Sequence, residues 1–304
     1  MSTLAVTAAA VGAIYLTRMA LQWLRESSLQ DRVVLITGAS SGLGEACAHV
    51  FYKAGAKVIL CARRVDQLER VKRELQQLNV KQTQVHEPKV LPFDLTDFDA
   101  AADKVEKAVG FHGCIDVLIN NGGISSRGNV LDTLLDVHMK VMNVNYFGQV
   151  ALTKAVLHHM ISARRGHIVA VSSLQGKFAL PFRAAYGASK HALQAFFDCL
   201  RAEVAQYGIG VSVVSPGYIQ TDLSLNAVTS AGDRNAVMDA ATASGMTPEY
   251  VANQILQAVA RRQDDVVVAP LLYRIVVLLR ALQPNLFFWI MARRARKEDK
   301  LKSS

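Results

Sequence analysis

Short apolar runs alternate with amphipathic stretches along most of this chain. The apolar runs stand at 33–37, 57–61, 89–93, 116–120, 167–171, 211–215 and 265–269. Their apolar residues are consecutive, as in strands covered on both faces. Between them, 43–54, 65–78, 97–110, 131–163, 183–207 and 248–262 carry apolar residues at helical spacing. Such alternation predicts an α/β fold, a doubly wound parallel sheet with helices on both faces. No internal repeat and no long Pro/Gly/Ser linker divides it. The pattern separates an N-terminal apolar segment at 1–28, one domain at 29–270, and an apolar segment with a basic tail at 271–304.

A glycine-rich loop follows the first strand run. Thr37, Gly38, Ser40, Ser41, Gly42, Leu43 and Gly44 give the spacing GxxxGxG between a strand and a helix. Gly38 permits a tight turn, Gly42 lets backbone approach a phosphate, and Gly44 lets the helix pack closely on the strand. A pyrophosphate then meets the free N–H groups of the helix N-terminus, as in Rossmann-type dinucleotide sites. By itself such a loop is often only a turn. The second strand run leads into Arg63 and Arg64, and Arg63 lies 19 residues after Gly44. That is near the place where such a site contacts the ribose 2′-oxygen. Two guanidiniums there suit a 2′-phosphate, so NADP(H) is the expected cofactor; a solvated basic helix start is the plainer alternative.

Tyr186 and Lys190 stand four residues apart, on one face of a helix. A phenol ionises near pH 10 in isolation, and the Lys190 charge is expected to favour the phenolate. Such a phenol gives a proton to a carbonyl or takes one from an alcohol. Ser173 ends the strand run before it, where open α/β sheets place their ligand crevice. Taken separately, each of these residues reads as ordinary structure.

Together the motifs say more. Gly38/Gly42/Gly44, Asn120-Asn121-Gly122-Gly123, Asn145 in Val144-Asn145-Tyr146-Phe147-Gly148, Ser173, Tyr186-x-x-x-Lys190 and Pro216-Gly217 resemble the short-chain dehydrogenase/reductase family, over about residues 30–270. The resemblance implies an oxidoreductase acting on a carbonyl/alcohol pair with NADP(H). By the same resemblance Tyr186 carries the proton, Ser173 orients the substrate oxygen, and Lys190 lowers the Tyr186 pKa and binds the nicotinamide ribose. Asn145 would support a water that relays protons toward Lys190. Asp94 would hold the adenine ring. Asn121 and Gly123 would line the cofactor path, and Pro216, Gly217, Ile219 and Thr221 would flank the nicotinamide. Gly122 stands where the family usually has alanine, which is expected to loosen a backbone turn. Leu223, Leu225 and Val228 stand where the family places a substrate-covering loop, which suits a hydrophobic or lipid substrate. The resemblance suggests a steroid or retinoid carbonyl, or acyl/alkyl dihydroxyacetone phosphate, and the sequence does not choose among them. A cofactor-bound regulatory or scaffolding protein with little turnover is the alternative function.

Composition adds a second theme. The formal net charge is +9, and residues 293–304 hold six Lys/Arg against two acids. An apolar stretch at 271–291 precedes that tail, a pattern that points to a membrane surface. No nucleic-acid module is recognisable, so no nucleic-acid partner is expected. Residues 4–24 carry no charge except Arg18 and are long enough for a retained membrane anchor if Arg18 snorkels. A cleavable signal peptide competes with that reading, but no basic segment precedes the apolar stretch. Arg18, Arg25 and Arg32 follow the segment, which favours a cytosolic catalytic domain, with a lumenal one left open. Residues 300–304 match a KxKxx retrieval pattern, so the endoplasmic reticulum membrane is the expected location, with the peroxisomal membrane as the other candidate. A homodimer is a candidate assembly. The cysteines Cys47, Cys61, Cys114 and Cys199 form no CxxC pair and are expected as buried thiols; the eight histidines lack ligand spacing, so no metal is expected.

Overall fold

Seven strands form in a computed structural model, which describes residues 28–79 and 86–303, with Gly12 and Thr17 from the N-terminal segment. They are β1 (Val33–Thr37), β2 (Lys57–Ala62), β3 (Lys89–Pro92), β4 (Val117–Asn120), β5 (Gly166–Val171), β6 (Ile209–Pro216) and β7 (Asp265–Val268). All pair in parallel, in the order β3-β2-β1-β4-β5-β6-β7. The sheet is thus the doubly wound one expected. β1, β4 and β5 are buried along their whole length, as consecutive apolar runs require. The order reverses between β1 and β4, so the ligand crevice belongs at the carboxyl ends of these strands.

Helices cover both faces. Val34, Ile36, Val58, Leu60 and Ile119 share one core with α1 (Gly42–Lys53), α2 (Val65–Gln76) and α8 (Pro248–Ala260). Leu35, Ile59, Leu118 and Ile168 share the other with α3 (Ala101–His112), α5 (Gly148–Ala163) and α6 (Ala184–Val204). Neighbouring residues of one strand therefore serve opposite cores.

Three expectations need correction. The helix expected at 131–163 starts later, as α4 (Leu135–Met142), because Asn129 bonds the Asp132 and Thr133 turn ahead of it. It then passes through a π-helical turn, Asn143–Phe147, before α5. The helix expected at 97–110 starts at Ala101, because the Asp94 and Asp97 side chains bond the backbone of Thr96 and Ala100 in a turn. Among the cysteines, Cys47 and Cys61 are buried, but Cys114 is half-buried and Cys199 is exposed on α6.

The segment after β7 breaks at Pro284 into α9 (Leu271–Leu282) and α10 (Pro284–Ser303). One side docks on the domain through Phe287, which is buried against Phe178 at a ring separation of 5.9 Å. Arg274 is tied back to the carbonyls of Val267 and Ala269. The other side leaves Leu271, Leu272, Leu278, Leu282, Phe288 and Trp289 exposed. The anchor expected at 4–24 lies outside the described residues. Among the described residues no helix is long and apolar enough to cross a membrane.

Candidate active site

The glycine loop closes over the carboxyl end of β1. Gly38 and Gly42 take φ of 68° and 57°, a left-handed backbone that L side chains resist. Gly44 is required by space: a Cβ there would stand 2.2 Å from the Gly38 carbonyl oxygen and 2.6 Å from Asn121 Nδ2. Ser41 caps α1 in extended backbone and makes no side-chain cap bond, so the first amides of α1 are left for an anionic ligand. Thr37 locks the loop to the next strand. Its Oγ1 accepts from the amides of Asn121 and Gly122, both at 2.9 Å, and its carbonyl accepts from Asn121 Nδ2 at 2.9 Å. Gly122 is therefore held and not loosened: its carbonyl also accepts from Gln149 Nε2, and a Cβ would meet Leu95 Cδ1 at 2.7 Å.

The basic pair divides its work. Arg64 donates to the hydroxyls of Ser40 and Ser41 at 3.0 and 2.9 Å. Arg63 reaches outward, 65% exposed, with Asp94 at 3.8 Å. Arg63, Arg64, Ser40, Ser41, Leu43 and Asp94 line a cavity of about 950 Å³ that continues past Asn121 and Gly123 to Pro216, Gly217, Ile219 and Thr221. A dinucleotide fits this cradle, since its glycines leave room where any side chain would intrude.

Tyr186, Lys190 and Ser173 line the same cavity. α6 brings Tyr186 and Lys190 to one face, and both are buried. Lys190 Nζ donates to the Val171 carbonyl at 2.8 Å, at the end of β5. Burial pushes its pKa down to about 8. Burial also pushes the Tyr186 phenol above its usual value, against a hydrogen bond from Ser173 and the charges of Arg127 and Arg183. Two arginines thus act on the phenol besides Lys190, whose Nζ lies 5.8 Å from the Tyr186 ring centroid. Asn145 sits inside the π-helical turn, fully buried. Its amide donates to the Ile124 carbonyl and Ser189 Oγ and accepts from the Ile124 amide. Such turns often mark functional sites, because the extra residue redirects side chains inward.

Leu223 and Val228 line the cavity as expected, while the Leu225 carbonyl accepts from the Ala236 amide and Arg234. Tyr273, Val276, Met291 and Arg294 of α9 and α10 supply another wall. The sequence reading passed over Arg127, Arg183 and Asp239. Asp239 Oδ2 accepts from Arg127 at 2.5 Å and from Arg183 at 2.9 Å, all three side chains being largely buried. Two arginines flanking apolar segments were the available signal, but their common partner lies more than fifty residues along the chain. Elsewhere Glu45, His49 and Glu74 come within ligand distance of one another, and Arg70 already bonds both carboxylates at 2.7 Å.

A glycine cradle joined to a Ser/Tyr/Lys set defines a class of nicotinamide-dependent oxidoreductase, and the chain belongs to the short-chain dehydrogenase/reductase family. The family model "short chain dehydrogenase" matches residues 32–231. The chain is 53% identical to dehydrogenase/reductase SDR family member 7B of Xenopus tropicalis, over 96% of this chain and 94% of that one. It is 54% identical to the protein of the same name from Bos taurus, over 93% and 88% of the two chains. It is 55% identical to a dehydrogenase/reductase SDR family protein 7-like of Anopheles gambiae, over 88% and 84%. A crystal structure of a short-chain dehydrogenase/reductase from Burkholderia phymatum in complex with NAD has the same fold, with a TM-score of 0.75 at 22% identity, covering 86% of this chain and 96% of that one.

Proposed function

We propose that this protein is an NADP(H)-dependent oxidoreductase that interconverts a carbonyl and an alcohol on a hydrophobic substrate at a membrane surface. The observation that carries the reading is the meeting of Tyr186, Ser173 and Lys190 with the glycine cradle in one cavity. The nicotinamide, when bound, supplies or accepts the hydride. Tyr186 gives its proton to the substrate oxygen in reduction and takes one in oxidation. Ser173, hydrogen-bonded to the phenol, orients that oxygen. Lys190 holds a charge that a buried amine titrating at about 8 easily exchanges, with Asn145 beside it through Ser189 on the same helix.

Arg63 and Arg64 support the choice of NADP(H), because guanidiniums hold a 2′-phosphate in pairs. The walls around Leu174, Phe178, Val228, Val276 and Met291 support a hydrophobic substrate. The outer face of α9 and α10 supports membrane contact: its apolar side chains sit beside Arg280 over Phe288 and Arg293 over Trp289. An anchor at 4–24 in the endoplasmic reticulum membrane, with the domain in the cytosol, completes the reading.

The test is turnover by the purified full chain with NADPH and with NADH, against a panel of hydrophobic ketones and aldehydes. Tight NADPH binding with turnover on none would move the function to a cofactor-bound regulatory protein. Protease added to sealed microsomes tests the orientation: a fully protected domain would refute the cytosolic one.

A further inference from the structure

The chain between β6 and α8 runs out over the substrate side of the cavity and back. Its outward half is stitched down by backbone. The Val228 amide donates to the Ser125 carbonyl at 2.9 Å, the Arg127 amide donates to the Val228 carbonyl at 2.8 Å, and Ser126 bridges Val228 in parallel. The returning half is tied to the outward half at the Asn235 and Ala236 amides, which donate to the Ala227 and Leu225 carbonyls, and at the Asp239 amide, which donates to Ser224 Oγ. Val237 and Met238 are exposed, and then Asp239 turns inward to two guanidiniums.

Those guanidiniums come from two neighbouring segments that are themselves paired: Gly128 bridges Arg183 in parallel, and its amide donates to the Phe182 carbonyl at 3.0 Å. Arg127 follows β4 and is itself fixed by Ser125 Oγ and the Ser126 carbonyl, both at 2.7 Å. Arg183 stands at the start of α6, three residues before Tyr186, and its carbonyl accepts the Gly187 amide of that helix at 2.8 Å. The Asp239 carbonyl also accepts from the amides of Thr242 and Ala243, which starts the one-turn α7 (Ala240–Ala243). That turn buries Thr242 in the cavity wall.

We propose that Asp239 is a positioning residue: by accepting from Arg127 and Arg183 at once, it clips the returning half of the loop over the substrate cavity and fixes Thr242 in its wall. The proposal rests on the reading of Tyr186 as the proton carrier in that cavity. Burial alone would raise the Asp239 carboxyl, but the two arginines more than offset it, so the group sits below the ordinary carboxylate range and the clip stays charged at neutral pH. Arg183 Nε is buried with no other partner, so loss of Asp239 leaves the Arg183 guanidinium without its ion pair in a place that water barely reaches.

The test is hydrogen–deuterium exchange on the full chain with NADPH, in wild type, Asp239→Ala, Asp239→Glu and Arg183→Gln. Amides at 237–245 should exchange at least tenfold faster in Asp239→Ala and Arg183→Gln, and stay within about threefold of wild type in Asp239→Glu. KM for the best hydrophobic carbonyl should rise at least fivefold, with NADPH affinity unchanged. The pH profile separates clip from mere damage. Lys190 Nζ lies over the Tyr186 ring, Arg127 and Arg183 act on the phenol, and Asp239 pairs with both arginines; Lys140, Asp222, Arg234 and Arg294 are among the other charged groups that line the cavity. Asp239→Asn removes the negative charge that Arg127 and Arg183 share and should move the Tyr186 limb to lower pH, whereas Arg183→Gln should move it higher. Unchanged exchange at 237–245 overturns the proposal, as does faster exchange spread over the strands of the sheet. A wild type with no turnover would sink the catalytic reading alone, since the exchange experiment still reads the clip.

Discussion

On the cofactor side of the cavity, shape is held by backbone and by missing side chains. Gly38 and Gly42 take left-handed turns, Gly44 lies where a Cβ would strike a carbonyl, and Thr37 bonds three backbone or amide groups of the next strand. On the substrate side, shape is held by charged side chains and by helices with bare outer faces: Asp239 between Arg127 and Arg183, and α9 with Leu271 and Leu272 exposed. The first construction is rigid and suits one invariant ligand. The second is set by charge pairing among largely buried side chains, so a change at one partner is felt by the other two.

The proposed chemistry lies where the two sides meet, so the largest expected effect is there. Tyr186→Phe should lower kcat by roughly 10²- to 10⁴-fold, the range for a lost proton carrier, with NADPH affinity unchanged by fluorescence titration. Substantial turnover in that variant would mean another group moves the proton.

Glycine substitutions then separate steric fit from ordinary contact within the cofactor side. Gly44→Ala forces a Cβ onto the Gly38 carbonyl and should cost about 1–3 kcal/mol, with NADPH binding lost. Gly217, on the nicotinamide side, would set its Cβ in ordinary contact, 3.5 Å from Leu174 Cδ1 and 3.6 Å from Ala269. Gly217→Ala should therefore melt and bind NADPH nearly as wild type does. Equal losses in both variants would mean that Cβ clearance at Gly44 is not what shapes the cradle.

A smaller effect tests the open end of the cofactor side. Arg63→Asp should cut the preference for NADPH over NADH by roughly ten- to a hundredfold, the worth of one charge-assisted contact. Most of the change should fall in the cofactor KM. Equal wild-type affinity for the two cofactors by titration would refute the role of Arg63.

The same contrast explains what the sequence made legible. Consecutive apolar runs and glycine spacing are local signals, so all seven strands and the cradle could be read without coordinates. Tyr186 and Lys190 share a helix face, and four residues of spacing suffice to say so. Arg127, Arg183 and Asp239 meet only because a long loop returns, and spacing along the chain carries no trace of that. The π-helical turn around Asn145 was also hidden, since one extra residue in a helix leaves the apolar period almost intact. Lys190 illustrates a subtler miss: proximity to Tyr186 was readable, but burial against the Val171 carbonyl was not.

That burial makes a last prediction. In the folded chain the Lys190 ammonium loses its proton at about pH 8, against roughly 10.4 for an unfolded lysine. Between those values the unfolded chain binds more protons than the folded one, so stability from this group rises with pH. Below about pH 8 both states are protonated and the cost of burying the charge is fully present. Lys190→Met removes the titration while keeping most of the side-chain volume. The unfolding free energy of wild type minus that of Lys190→Met should therefore climb from pH 8 to 10, by at most about 1.4 kcal/mol per pH unit. Cys47, Cys61 and Tyr186 also titrate upward of neutral, but both proteins carry them, and the subtraction removes their share. Urea unfolding without NADPH at pH 8, 9 and 10 measures the difference. A flat line would mean that the amine at the junction of the two sides is solvated like any surface lysine, and the cavity there is wetter than its walls imply.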